Sequence, residues 1–125
     1  SMVDPYSQEN RSYPDQKPEV SAPGVLLFST TSTQIEPPYA YSTGTSDSTV
    51  LVTGALALIL ELHGTALAGD DGVIDSEEMK MVKRTLASSC DKSGIDGSPH
   101  DARGGYGFLD AVQWASDIAF ELNLA

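Results

Sequence analysis

Apolar and polar positions alternate along this chain in blocks that predict two strands and three helices. Val25-Leu26-Leu27-Phe28 runs into Ser29-Thr30-Thr31, an unbroken apolar and β-favouring stretch that predicts a buried strand over 25–31. Glu36-Pro37-Pro38 then forces a turn, because a residue preceding proline is driven out of helical backbone. Tyr39 to Thr43 is rich in β formers and predicts a second strand. The apolar run from Val50 to Leu62 predicts a buried helix from Asp47 to about His63, with Gly64 as its stop. Asp75-Ser76-Glu77-Glu78 has the spacing of a capping box, and Met79, Val82, Leu86 and Ala87 form a helical stripe ending near Cys90. A third helix is expected from near Leu109 to about Leu122. Residues 1–16, rich in Ser, Asn, Asp and Pro without periodicity, form an irregular lead, and Ser1-Met2 reads as an expression remnant. The organised part is 17–125.

The junction between the second strand and the first helix carries the chemistry. The strand ends at Gly44 and Ser46 follows, at the start of a helix, where unsatisfied N–H groups and the positive end of the helix dipole converge. A hydroxyl placed there could attack a carbonyl while those N–H groups hold the oxyanion that forms. An ordinary N-cap serine has the same placement.

Three segments decide between these readings. Lys17-Pro18-Glu19-Val20-Ser21-Ala22-Pro23-Gly24-Val25 is similar to the K-P-D-V-x-A-P-G-V segment of subtilisin-like serine proteases, the subtilases. Gly44-Thr45-Ser46-Asp47-Ser48-Thr49-Val50-Leu51-Val52-Thr53-Gly54 resembles the nucleophile motif G-T-S-x-A-T-P-H-V-A-G of that family. Gly105-Tyr106-Gly107-Phe108-Leu109-Asp110-Ala111 resembles the G-x-G-x-x-N-A element that opens its last catalytic-domain helix. The order is that of the family. The resemblance runs from about Lys17 to the C-terminus. It implies an α/β fold, the C-terminal portion of a three-layer domain whose sheet is mostly parallel, with Ser46 as the nucleophile. It also implies an extracellular or cell-envelope location.

No other member of the charge relay transfers. The family places its Asp and His N-terminal to the serine, whereas the 45 residues before Ser46 contain no histidine, and neither Asp4 nor Asp15 has the apolar, strand-ending context of a relay aspartate. Asn10 lacks the flanking glycine of the family's oxyanion asparagine. His63, if the helix is continuous, lies about 25 Å along the axis from Ser46, far beyond the roughly 3.2 Å that a general base needs. It is expected to favour a helix C-terminus instead. His100 lies in a Gly/Ser/Asp/Pro stretch and is expected to be solvated on a mobile loop. Within the nucleophile motif, Asp47 stands where subtilases carry an uncharged residue, and whether it opposes an oxyanion depends on where it points. Val50 and Leu51 replace a Pro-His pair and Thr53 replaces an alanine, changes that bear on helix packing.

Composition narrows the partners. A formal net charge of −11 argues against nucleic acid and anionic membrane surfaces. The run Val50 to Leu60, closed by Glu61, is too short to span a bilayer. The single cysteine, Cys90, forms no internal disulfide, reads as a half-buried structural thiol, and has Asp91 beside it to disfavour the thiolate. Asp70 to Glu78 is similar to the second half of an EF-hand loop, yet its first two ligand positions fall on Leu67 and Gly69, so no metal is expected, and no cofactor. Three functions follow. The first is the nucleophile-bearing portion of an endopeptidase, inactive until an upstream segment or a second chain supplies Asp and His for a peptide substrate. The others are a non-catalytic module of the same family and a small acidic calcium-binding protein. An uncovered apolar face and an open strand edge predict self-association.

Overall fold

The computed structural model describes residues 11–32, 34, 36–95 and 99–124, so Ser1-Met2, Asp4, Asn10 and most of the expected lead lie outside the described residues. Strands β1 (Leu27–Thr30) and β2 (Tyr39–Ser42) precede helix α1 (Thr45–Ala68), a 3-10 turn over Gly69–Asp71, helix α2 (Ser76–Ser89) and helix α3 (Ala111–Glu121). The fold is mixed α and β, as expected.

α2 follows its sequence signals closely. Asp75 accepts from the Glu78 N–H at 3.0 Å while the Glu78 carboxylate accepts from the Asp75 N–H at 2.6 Å, closing the capping box. Its stripe of Val82, Leu86 and Cys90 meets Trp114 and Ile118 of α3 and Ile59 and Leu67 of α1 in the core. The Trp114 indole N–H donates to the Val82 carbonyl and to Thr85 Oγ1, both at 3.2 Å, so the largest buried ring is polar-satisfied as well as packed. α3 begins two residues later than expected, with Asp110 as its N-cap accepting from the Gln113 N–H at 2.9 Å.

α1 departs from expectation in extent and burial. It runs 24 residues, straight through Gly64, and stops at Gly69, whose φ of 70° is the left-handed conformation that glycine adopts freely. Gly64 costs about 1 kcal/mol inside a helix. Burial of Leu67 and Ala68 one turn further on offsets it. The added turns make the helix about 36 Å long. By length and composition it could cross a membrane, so the short-run exclusion does not hold. Nor is most of the helix buried: Ile59 is 2 % exposed, whereas Val50, Leu58 and Leu62 are 67, 64 and 69 % exposed.

β1 and β2 pair antiparallel, Leu27 opposite Ser42 and Thr30 opposite Tyr39, and the Thr31 N–H closes the intervening loop on the Pro38 carbonyl at 2.8 Å. β1 is exposed along Phe28–Thr30 rather than buried. Parallel pairing among the described residues is confined to Ser21 and Phe108. The Ser21 N–H donates to Gly107 O at 2.9 Å, the Leu109 N–H to Ser21 O at 2.8 Å and the Tyr106 N–H to Glu19 O at 2.8 Å, while Phe108 exchanges both its bonds with Asp91 on the other side. Tyr106 sits in this knot fully buried, with Tyr13 edge-on at 5.4 Å and His100 at 4.8 Å.

Candidate active site

Ser46 stands on the first turn of α1, exposed, with no hydrogen-bond partner for its hydroxyl among the described residues. The helix starts at Thr45 with Gly44 as the N-cap, so Ser46 lies inside the helix rather than capping it. Gly44 has no side chain to offer as a cap, and the Asp47 and Ser48 N–H groups therefore turn back to the Gly44 carbonyl at 3.2 and 3.4 Å. The N–H groups of Thr45 and Ser46 remain without partners among the described residues. Two free donors and an unengaged hydroxyl thus share the positive end of a 24-residue helix.

A brace from the first segment holds this turn. Ser48 Oγ is shared between the carbonyls of Ala22 and Pro23 at 3.0 and 3.1 Å, and the Gly44 N–H donates to Gly24 O at 2.7 Å. A Cβ on Gly24 would meet Ser48 Oγ and stand 2.8 Å from Gly44 O, so only glycine lets the two backbones approach this closely. The Leu26 N–H adds a bond to Thr43 Oγ1 at 2.8 Å. Asp47 turns its carboxylate to the end of β2, where Oδ2 accepts from Ser42 Oγ at 2.9 Å. That bond directs the charge toward the hairpin.

The three segments singled out in the sequence are in contact. The first joins the second through Gly24 and Ser48 and joins the third through Ser21 and Phe108. Gly24 was legible as the one glycine of its segment, whereas the bracing role of Ser48 had no signal beyond a hydroxyl in a cap-like cluster.

Neither histidine serves Ser46. α1 is continuous between Ser46 and His63, which keeps them about 25 Å apart, and His63 lies mid-helix rather than at a C-terminus. His100 is not free in solvent: its Nε2 lies 2.8 Å from the Pro18 carbonyl and its ring packs on Tyr106. Asp15 is committed to Lys83, whose ammonium holds its carboxyl below the usual range. Cys90 is buried, only 5 % exposed, rather than half-buried. Burial pushes its thiol up, and Asp110, not Asp91, is the carboxylate that adds to the effect. In the loop considered for calcium, Asp75 and Glu78 are engaged in the capping box and Asp71 Oδ1 accepts from the Val73 N–H at 2.9 Å.

Between the segment 17–22 and the first turns of α1 lies a groove of about 630 Å³, bounded by Thr45, Ser48, Thr49 and Thr53 on the helix and floored by Val52 and Leu86. Thr45, the residue before Ser46, lines it.

The family model described as Subtilase family matches residues 1–107. No curated protein and no solved structure matches the chain.

Proposed function

We propose, from the premise that the chain belongs to the subtilase family, that it is the nucleophile-bearing portion of a subtilisin-like serine endopeptidase. The observation that carries this reading is the unengaged Ser46 hydroxyl beside the free N–H groups of Thr45 and Ser46. In the complete site Ser46 Oγ attacks the scissile carbonyl carbon. Its proton passes to a histidine supplied by an upstream segment or a second chain, and an aspartate from the same source orients that imidazole. The oxyanion accepts from the helix N-terminus and an asparagine donor. The C–N bond then breaks as the histidine returns the proton to the leaving amine, and water hydrolyses the acyl-Ser46 ester.

On the same premise we read the chain as part of a three-layer domain with a mostly parallel sheet, secreted or at the cell envelope, acting on peptide and not on nucleic acid. The stripe Val50, Leu58 and Leu62 is then a surface for protein rather than lipid, since another face of the same helix is packed on α2 and α3 through Ile59 and Leu67. Mixing the chain with a subtilase segment that bears the Asp, His and Asn motifs is expected to generate peptide hydrolysis, abolished by Ser46→Ala. Assembly without hydrolysis would favour the second reading, a non-catalytic module of the same family. That reading draws support from the lack of a histidine at Ser46 among the described residues.

A further inference from the structure

The positive charge of this acidic chain is gathered in one corner. Five of its seven lysines and arginines, Arg11, Lys17, Lys80, Lys83 and Arg84, belong to the place where the segment 11–19 meets α2. The hydrogen bond from Lys83, together with the charges of Lys83, Arg11 and Lys17, holds the Asp15 carboxyl below its usual range. Lys80, Lys83 and Arg84 stand three and four positions apart on one face of α2, and with Tyr13, Pro14 and Asp15 they line a cavity of about 260 Å³. Its walls are fixed in advance. The Tyr13 hydroxyl donates to the Arg84 carbonyl at 3.1 Å, the Tyr13 ring meets Tyr106 edge-on at 5.4 Å, and Lys83 pairs with Asp15 and, at 3.4 Å, with Glu19.

The three cations of the cavity are not equally committed. Lys83 is held by two carboxylates. Lys80 pairs with Glu77 at 3.0 Å, but the two side chains are 63 and 77 % exposed, so water and other anions compete for that pair. The Arg84 guanidinium has no hydrogen bond or ion pair among the described residues, although it shares a helix face with two like charges that repel it. Two cations thus converge on one cavity with charge to spare. We infer that this cavity binds a small dianionic oxyanion, a phosphate monoester, with Arg84 engaging two of its oxygens, Lys80 a third, and the ester group against the rings of Tyr13 and Pro14. A guanidinium forks onto two oxygens of one group, which a tetrahedral phosphate offers while keeping others for the ammonium. A single carboxylate matches the site less well, because its one charge answers one of the two cations. The ligand is small, since the cavity lies below the roughly 300 Å³ at which drug-sized sites begin. The net charge of −11 repels anions at a distance, but that field is screened beyond about 8 Å at physiological salt, whereas the bonds from Arg84 act at contact.

The test is an NMR titration of the full chain at constant ionic strength with acetyl-phosphoserine-amide, inorganic phosphate and acetate. The expected result is saturable shifts centred on Tyr13, Lys80 and Arg84, half-complete at about 1 mM ester or below. Inorganic phosphate should bind more weakly, having no group to lay on Tyr13 and Pro14, and acetate should give no saturable shift. Arg84→Gln, at an exposed side chain whose loss should leave the melt unchanged, should weaken binding about tenfold or more. Lys80→Gln should weaken it less, and Arg103→Gln, a cation of the other groove, should not alter it. Unchanged affinity in Arg84→Gln would overturn the site, as would an equal loss in Arg103→Gln, shifts that fail to saturate at millimolar ester, or acetate that matches phosphate. Equal affinity for the ester and for inorganic phosphate would overturn the ester and leave the free anion as ligand. No readout involves Ser46, so the outcome is independent of the protease reading.

Discussion

The two ends of α1 occupy different environments, and the contrast explains where function can lie. At the C-terminal end, Ile59, Leu67 and Ala68 are buried with Val82, Leu86, Trp114 and Ile118. At the N-terminal end, Val50 and Leu51 face outward beside a hairpin whose exposed Phe28 ring packs on those of Tyr39 and Tyr41. One end supplies the stability of the chain. The other holds Ser46 and the groove, and it is anchored by hydrogen bonds to the carbonyls of Ala22, Pro23 and Gly24 rather than by apolar burial. A surface left open in this way costs little to cover with a partner, because its backbone is already ordered.

The largest expected effect tests that division. Trp114→Ala removes a fully buried ring and two indole hydrogen bonds and should cost about 3–5 kcal/mol, seen as loss of the cooperative melt. Leu58→Ser, one residue from buried Ile59, should change stability by no more than about 0.5 kcal/mol. It should also reduce the self-association expected of the uncovered stripe, read by light scattering at micromolar concentration. Equal costs at the two positions would erase the contrast.

Next in size is Gly105→Ala. Gly105 has φ of 65°, and a Cβ there would stand 2.5 Å from Glu19 O and 2.6 Å from Pro18 O, both backbone atoms with no room to move. The expected cost is about 2–4 kcal/mol. Because the segment 105–109 carries the segment 19–22, hydrogen exchange at Ser48 and Gly44 should rise with it. A loss confined to the Tyr106 knot would show that the brace on α1 is independent.

What the sequence made legible, and what it did not, follows the range of the interactions. The capping box and the stripe of α2 are set by residues within a few positions of one another, and they appear where the spacing put them. The run of α1 past Gly64 was hidden because it depends on Leu67 reaching a core built from α2 and α3. Exposure of β1 and of α1 was hidden for the same reason, since an apolar run announces that it can be buried and not whether a neighbour is at hand. The Tyr106 knot joins Tyr13, Gln16, Lys92 and His100, the first of which lies 93 positions from Tyr106, and no local pattern encodes it. Ser46 was legible through its segment, and its place as the second residue of the helix was not, because Gly44 takes the N-cap position while tied to Gly24 on a distant segment.

The smallest expected effect concerns the tie between the lead and α2. Burial pulls the Lys83 ammonium down, but Asp15 and Glu19 outweigh it and raise the net value, while Lys83 holds Asp15 below its ordinary range. A lowered carboxyl contributes stability above its unfolded pKa and loses it as pH falls through the folded value. A raised ammonium contributes below its unfolded pKa and loses it as pH rises through the folded value. The tie therefore operates between roughly pH 4 and pH 10. Both partners are more than a third exposed, so Lys83→Met should cost only about 0.5 kcal/mol at pH 7 and less at pH 3, by chemical denaturation at the two pH values. An equal cost at both would assign the effect to packing.

The proposed role of Ser46 as a nucleophile awaiting its base is tested most directly by the rate of fluorophosphonate labelling followed by intact mass. The chain alone should remain unlabelled, because an unactivated hydroxyl is a poor nucleophile. Addition of a subtilase segment bearing the Asp and His motifs should bring labelling that Ser46→Ala removes. Rapid labelling of the chain alone, lost in Ser46→Ala, would contradict the account, as would a segment that binds the chain and leaves Ser46 unlabelled.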